Sequence, residues 1–515
     1  MLRAKAIKLL SNKFFLTLLF VAFFCVTRIP YLGRDAINPD AVNWHYRSEQ
    51  FVVGLKNGIW EKTYQHYHPG VTLMWVMGST VEIARQIDPA LRVYNHENFL
   101  FLHSVAKYSL VFVQLGLTLG VLYVFSLILG FKKSLIITSF FSLEPFFIGN
   151  SRLLHMDVLL TLFLALGLGL AYLGIFEDKN FKRNLAFSGI FLSFAFLTKS
   201  VAIGALLFVP GISVLVHLKN PKKLLKTILW FLAPYIITLF VFFPALWVAP
   251  LSTLWNMFDE VERVGIRKGH GQIFFGSYTR DPGMFFYPLT LYLKSSPVMI
   301  LGLALFIYSL FKFRPLLKSA DFSFFGFLTL FFAGYFLVMT ISSKKIDRYI
   351  IPAFPYFCFM SYLGFEKIAF AKLKNIVLAV GLVLLLILNF VFYPFQFTYA
   401  TPLIGGLRNA DKIIAQKPFG IGIPDLKDLV LDKYGSYPSL GFYDVKPMRT
   451  IYKASEIADV EINGISDYDL LILGPGEPAP EKVLESDVIF SLDETVEING
   501  LEYWRIYVKE NFLTE

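Results

Sequence analysis

Long apolar runs dominate this chain, near residues 12–30, 104–129, 134–151, 156–176, 184–198, 200–217, 227–248, 290–311, 324–342, 349–368 and 374–394. A helix needs about 20 apolar residues to cross a hydrocarbon layer roughly 30 Å thick, so the pattern predicts about eleven transmembrane helices. A weaker piece, 69–86, reads as interfacial or re-entrant. Two polar stretches, 33–70 and 250–288, interrupt the apolar runs. After residue 398 the period shortens. FGIGI (419–423), DLLILG (469–474) and VIFSL (488–492) read as buried strands, and 411–416 and 426–434 as short helices. VEINGLEYWRIYV reads as a hairpin turning at Asn499-Gly500. The expected fold is a polytopic α-helical membrane protein (1–398) followed by a small α/β domain (399–515).

Composition supports the membrane assignment. The 515 residues are 56% hydrophobic and 17% charged, with a mean hydropathy of +0.57, whereas soluble domains carry about 25% charge. Cys25 and Cys358 both lie in apolar runs, so no disulfide framework or cysteine metal site is indicated. The first apolar run is followed by TRIPYLG, which lacks a small-x-small cleavage pattern, and reads as an uncleaved span.

Charge divides the chain further. The net charge is +10, but residues 399–515 hold 11 Lys+Arg against 20 Asp+Glu, leaving the apolar part strongly basic. The tail reads as a separate acidic, soluble unit, and no part reads as a nucleic-acid binder. With the N-terminus inside, Lys132 and Lys133, then Lys179, Lys182 and Arg183, then Lys219, Lys222, Lys223 and Lys226, then Lys312, Arg314 and Lys318, then Lys367, Lys372 and Lys374 all fall on the cytoplasmic side of a cell membrane. Loops 33–70 and 250–288 and the tail are then extracytoplasmic.

The cations left on the outer side break that rule: Arg152, Lys199, Lys294, Lys344, Lys345 and Arg348. Each alone could snorkel to headgroups. Together they favour an anion at the outer interface, with a lipid phosphate the natural candidate. Asp40, in NPDAVNW, is the candidate general base; an Asx-turn or N-cap role is open to it as well. Asp157, in SRLLHMD, is the second candidate acid and sits where an outer loop re-enters the membrane. Trp44, His66, Tyr67 and His68 read as substrate contacts. His45, His66, His68, His155 and His270 are the histidines available to a divalent metal, but interfacial packing is the favoured account of them and no cofactor is expected. The Gly- and aromatic-rich loop 250–288 suits a mobile lid or sugar platform, or an ordinary interfacial loop.

The chain resembles the GT-C glycosyltransferases of the protein O-mannosyltransferase-like group, the family 39 type that includes the lipid A aminoarabinose transferases. The resemblance rests on YQHYHPGVTLMW, SRLLHMDVLLTLF, SGIFLSFAFLTKS, FFPALWVAP, KKIDRYIIPAFP and TYATPLIGG, taken in their order. It implies a polyprenyl-phosphate-linked sugar donor and a hydroxyl acceptor outside the cytoplasm. It also implies Asp40 and Asp157 as catalytic carboxylates, and Arg152, Lys199, Lys345 and Arg348 as contacts to the lipid phosphate. Many members carry adjacent Asp-Glu in the first loop, whereas Asp40 is followed by Ala41. Any second-carboxylate role would pass to Asp35, Glu49 or Asp157. The competing classes are a transporter or flippase, disfavoured because the spans are nearly free of charge, and a non-catalytic scaffold.

Overall fold

A computed structural model describes residues 12–177, 180–312, 320–435, 437–510 and 512. Lys179, Arg314 and Lys318 lie outside the described residues. The protein is a polytopic helical membrane protein. Among the described residues, six helices are long and apolar enough to span: His96–Leu129, Asp157–Phe176, Ser200–His217, Pro221–Phe242, Asp321–Ile341 and Ala371–Val391. Asp157–Phe176 is the central one, with 94% of its apolar window buried, whereas Pro221–Phe242 and Ala371–Val391 bury only 22% and 28%. Their bare faces, such as Ile236, Ile237 and Phe240, or Val380, Ile387 and Phe390, are stable only against lipid.

The other five apolar runs form shorter or less apolar helices, Lys13–Arg28, Phe131–Leu143, Phe181–Thr198, Pro297–Lys312 and Phe354–Phe365. Proline explains three of these boundaries, because it disfavours helix at the residue before it. The run 134–151 breaks at Glu144-Pro145, the run 290–311 at Ser296-Pro297, and the run 349–368 passes through a 3-10 segment containing Pro352. The first two breaks are tied together, since the Glu144 carboxylate accepts from Ser296 N (3.0 Å) and Oγ (2.6 Å). The weak piece 69–86 forms the helix Val71–Ile87.

The tail builds a five-stranded sheet from β3 (Leu440–Phe442), β4 (Ile457–Asp459), β5 (Leu470–Leu473), β6 (Phe490–Ile498) and β7 (Leu501–Lys509), in the order β4-β3-β5-β7-β6. Strands β3, β4 and β5 are parallel, and β6–β7 is the expected hairpin. Asn499 (φ 51°) and Gly500 (φ 80°) both adopt positive φ, as a type I′ turn requires. FGIGI is not a strand. It is the turn that opens the helix Ile423–Tyr434, and Gly420 and Gly422 (φ 66° and 67°) bring its backbone against the first loop. Ile37 N donates to Gly420 O and Gly422 N to Asp35 O. A Cβ on Gly420 would sit 1.9 Å from Ile37 O. The span 411–416 is turn rather than helix, and β3 and β4 were not foreseen.

The tail does not stand apart from the bundle. Its core residues Ile421, Leu426, Phe442 and Trp504 belong to one apolar cluster with the membrane helices. The loop 250–288 carries a small hairpin, β1 (Gln272–Phe274) and β2 (Ser277–Thr279). That hairpin pairs with the tail through Phe275 N to Ile413 O and Ala415 N to Ile273 O. First loop, hairpin and tail thus share one end of the bundle. Lys133, paired with Asp321, and Lys374, paired with Glu366, lie toward the other end.

Candidate active site

Four chain breaks converge where the tail meets the bundle. Asn38-Pro39 starts the helix Pro39–Asn57 and places Asp40 in its first turn, where the helix dipole favours a carboxylate. Asp157 opens the central helix. Lys199 caps the end of Phe181–Thr198 in extended conformation. Arg348 lies in the 3-10 segment Asp347–Ala353.

Their side chains form one ionic cluster. Arg348 Nη2 donates to Asp40 Oδ2 at 2.8 Å, and its Nε lies 3.5 Å from Asp157 Oδ2. Lys199 Nζ donates to Asp157 Oδ1 at 2.7 Å and lies 4.1 Å from the centre of the Tyr349 ring. His155 bridges the carboxylates, with Nδ1 3.0 Å from Asp157 Oδ2 and Nε2 3.5 Å from Asp40 Oδ2. Only Asp40 is open: its side chain is 35% exposed, against 3% for Asp157. Burial works against ionising Asp40, but the Arg348 guanidinium and His155 hold its carboxyl well below the usual range. It is a carboxylate at neutral pH.

The HYHPG segment borders this cluster. Gly70 N donates to Thr198 O, and His68 Nδ1 lies 3.0 Å from Ser200 Oγ. Lys344 Nζ donates to the Tyr67 hydroxyl at 3.3 Å. Burial first, then nearby positive charge, pushes His66 down to about 4 and His68 well below its ordinary value. Both rings are therefore neutral near pH 7. A cavity of about 880 Å³ opens beside Asp40 and Arg348. Its walls also include Lys294, Lys344, Lys417 and Glu477, so bundle, hairpin and tail all contribute to it.

Several expected site residues have other work. Arg152 is buried, with Nε 2.9 Å from Asp35 Oδ2 and its Nη atoms donating to the carbonyls of Thr27, Arg28 and Pro30. It ties the first helix to the first loop, and among the described residues it makes no hydrogen bond or ion pair with Asp40 or Asp157. Asp35, offered as a second carboxylate, is enclosed by Arg152 and Lys107. Glu49, the other alternative, pairs with Arg85. Trp44 is a packing residue, only 2% exposed. Its ring fills the space a Cβ on Gly70 would need, with Cη2 2.2 Å from that position, and its edge meets His66. Lys345 donates to Asp281 (2.7 Å) on the loop after β2 and to Ser342 O. The loop 250–288 is thereby latched by an ion pair as well as by strand pairing.

His155 joins this cluster, although the sequence reading placed it only among possible metal ligands. The signal was its spacing from Asp157 in HMD. Among the described residues, no group of three or more His, Cys, Asp or Glu side chains is placed to hold a metal ion.

No family model matches the chain. An uncharacterized protein of Aquifex aeolicus (strain VF5) is 29% identical over 265 residues, covering 51% of this chain, and the chain spans about half the length of that curated relative (49%). Among solved structures, ArnT from Cupriavidus metallidurans in the apo state aligns over 95% of this chain and 97% of its own, with a TM-score of 0.52 and 13% identity. ArnT from the same organism bound to undecaprenyl phosphate aligns over the same shares at 0.49 and 13%. The apo likeness, at 13% identity, shows that the two chains share a fold.

Proposed function

We propose that the protein is an integral-membrane glycosyltransferase that moves a sugar from a polyprenyl-phosphate donor to a hydroxyl acceptor on the extracytoplasmic side. The observation that carries this reading is the pairing of an accessible carboxylate, Asp40, with a guanidinium that has hydrogen-bonding capacity to spare. Arg348 Nε and Nη1 are buried and have no hydrogen-bond acceptor among the described residues. A phosphate oxygen would satisfy them as charge-assisted bonds.

The chemistry follows from that arrangement. Arg348 and Lys344 hold the donor phosphate, and Arg348 turning toward it weakens its hold on Asp40. The Asp40 pKa then rises, which makes its carboxylate a better base. Asp40 takes the proton of the acceptor hydroxyl. The hydroxyl oxygen attacks the anomeric carbon, the bond from that carbon to the phosphate oxygen breaks, and polyprenyl phosphate departs with inversion. Positive charge beside the departing phosphate stabilises charge that grows in the transition state. Asp157, locked to Lys199 and His155, orients the cluster rather than meeting substrate.

The test is transfer from undecaprenyl-phosphoryl-sugar donors to envelope acceptors, followed by mass spectrometry, in wild type and Asp40→Asn. Loss of about 10²–10⁴-fold in rate is expected for removal of a general base. Full activity in Asp40→Asn would sink the assignment.

A further inference from the structure

Lys294 differs from the other buried cations at this end of the bundle. It ends the helix Phe286–Lys294, is 6% exposed, and lines the same cavity as Asp40 and Arg348. Lys199 is neutralised by Asp157, Lys345 by Asp281, and Arg152 by Asp35. Among the described residues, Lys294 makes neither a hydrogen bond nor an ion pair. Its ammonium rests 5.1 Å from the centre of the Phe146 ring. Asp347 and Asp411 act on it only through space.

A second ammonium in the cavity is also short of an anion. Lys417 donates to His270 Nε2 and to Gly271 O, both uncharged acceptors. The carboxylates of Asp347, Asp444, Glu461 and Glu477 line this cavity too, but Asp347 acts on Lys294 and Lys417 only through space, and Asp444 and Glu461 are exposed to solvent. A buried ammonium without an acceptor is costly, and a ring contact offsets only part of that cost. An anion entering the cavity would supply the missing partner.

We propose that Lys294, assisted by Lys417, forms a subsite for an anionic substituent, a carboxylate or phosphate group carried by the transferred sugar or by the acceptor. This rests on the glycosyltransferase reading and names the class of glycan it acts on. The subsite is distinct from the polyprenyl phosphate, which belongs to Arg348 and Lys344.

The test is calorimetric titration of the detergent-purified full chain with glucuronate, with glycerol 3-phosphate and with glucose, each after loading with undecaprenyl phosphate. Wild type is expected to bind an anionic probe at least about tenfold tighter than glucose. Lys294→Gln should abolish that preference, Lys294→Arg should keep part of it, and both should bind undecaprenyl phosphate as wild type does. Lack of preference in wild type, or preference intact in Lys294→Gln, overturns the proposal. So does a tenfold loss of undecaprenyl phosphate affinity in Lys294→Gln with probe binding unchanged, because Lys294 would then belong to the donor phosphate.

If neither protein binds undecaprenyl phosphate, the donor assignment fails, while a probe preference that depends on Lys294 still upholds the subsite. Should Lys294→Gln not fold, Lys417→Gln is expected to weaken the preference, and an undiminished one overturns the proposal. Repeating the titration with undecaprenyl-phosphoryl-glucose bound separates the two sources. Probe binding that persists assigns the anion to the acceptor, and probe binding that is lost assigns it to the transferred sugar.

Discussion

Arg348 reaches Asp40 Oδ2 with Nη2 at 2.8 Å and turns its Nε toward Asp157 Oδ2 at 3.5 Å. One planar guanidinium thus spans an open carboxylate and a closed one, which lysine, a single point charge, cannot do. Arg348→Lys should therefore fold but lose about 10²-fold in transfer rate. Arg348→Ala should in addition lose about 3 kcal/mol of stability, because Asp40 and Asp157 keep only Lys199 and His155 as partners. Transfer assays and thermal unfolding in the same detergent separate the two effects. Equal activity in Arg348→Lys and wild type would show that the fork geometry is not used.

The two carboxylates should part company on mutation. Asp40 is a third exposed, so Asp40→Asn should leave the melting temperature nearly unchanged while transfer collapses. Asp157 is enclosed, and Asp157→Asn leaves Lys199 buried without its counter-charge. It should cost about 3–5 kcal/mol and lower the yield of folded protein along with activity. If instead Asp157→Asn is stable and inactive, Asp157 meets substrate directly and its assignment as an orienting group is wrong.

Glu477 gives the tail wall of the cavity a pH dependence. Burial, aided by the Asp444 charge, pushes its carboxyl from 4.5 up to about 7, against the Gly474 N–H that favours the ionised form. A carboxyl raised in the folded state binds its proton more tightly there than in the unfolded chain. Its contribution to stability is therefore fully present below pH 4.5 and is lost as pH rises through about 7. Glu477→Gln keeps an acceptor for Gly474 N and removes the titration. The variant should be more stable than wild type at pH 8, by about 1 kcal/mol once solvent screening is allowed for, and the difference should shrink toward pH 5. Parallel melting curves for the two proteins across that range would contradict the assignment.

The apolar periods located a helix for each of the eleven runs, because hydropathy over twenty residues is a strong signal. Their lengths were less legible, since Pro145, Pro297 and Pro352 cut runs that read as continuous. Asp40, Asp157, Lys199 and Arg348, which the structure brings into one cluster, stood out in the sequence because charges at apolar helix ends are conspicuous. Arg152 looked the same but serves packing, and nothing local distinguishes it. Its partner Asp35 lies 117 positions away, and Lys107, the second cation on that carboxylate, lies inside an apolar run. FGIGI was misread as a strand for a related reason. Its two glycines answer to backbone contacts with Ile37 and Asp35, almost four hundred residues upstream, and pairings at that separation leave no period in the sequence.

The Asp35 triad supplies a test of structure against catalysis. Arg152 and Lys107 are each 1% exposed and share one carboxylate. Removing Asp35 leaves two buried cations facing each other, so Asp35→Ala should cost about 3–5 kcal/mol and undo the docking of the first loop. Arg152→Ala leaves Asp35 paired with Lys107 but abandons the carbonyls of Thr27, Arg28 and Pro30. It should also destabilise, by about 2–3 kcal/mol. Neither residue borders the Asp40 cavity, so any Arg152→Ala protein that folds should bind undecaprenyl phosphate as wild type does. Native mass spectrometry of that variant is the deciding measurement. Retained lipid fixes Arg152 as a strut between the first helix and the first loop, and lost lipid in a folded protein returns it to the donor phosphate.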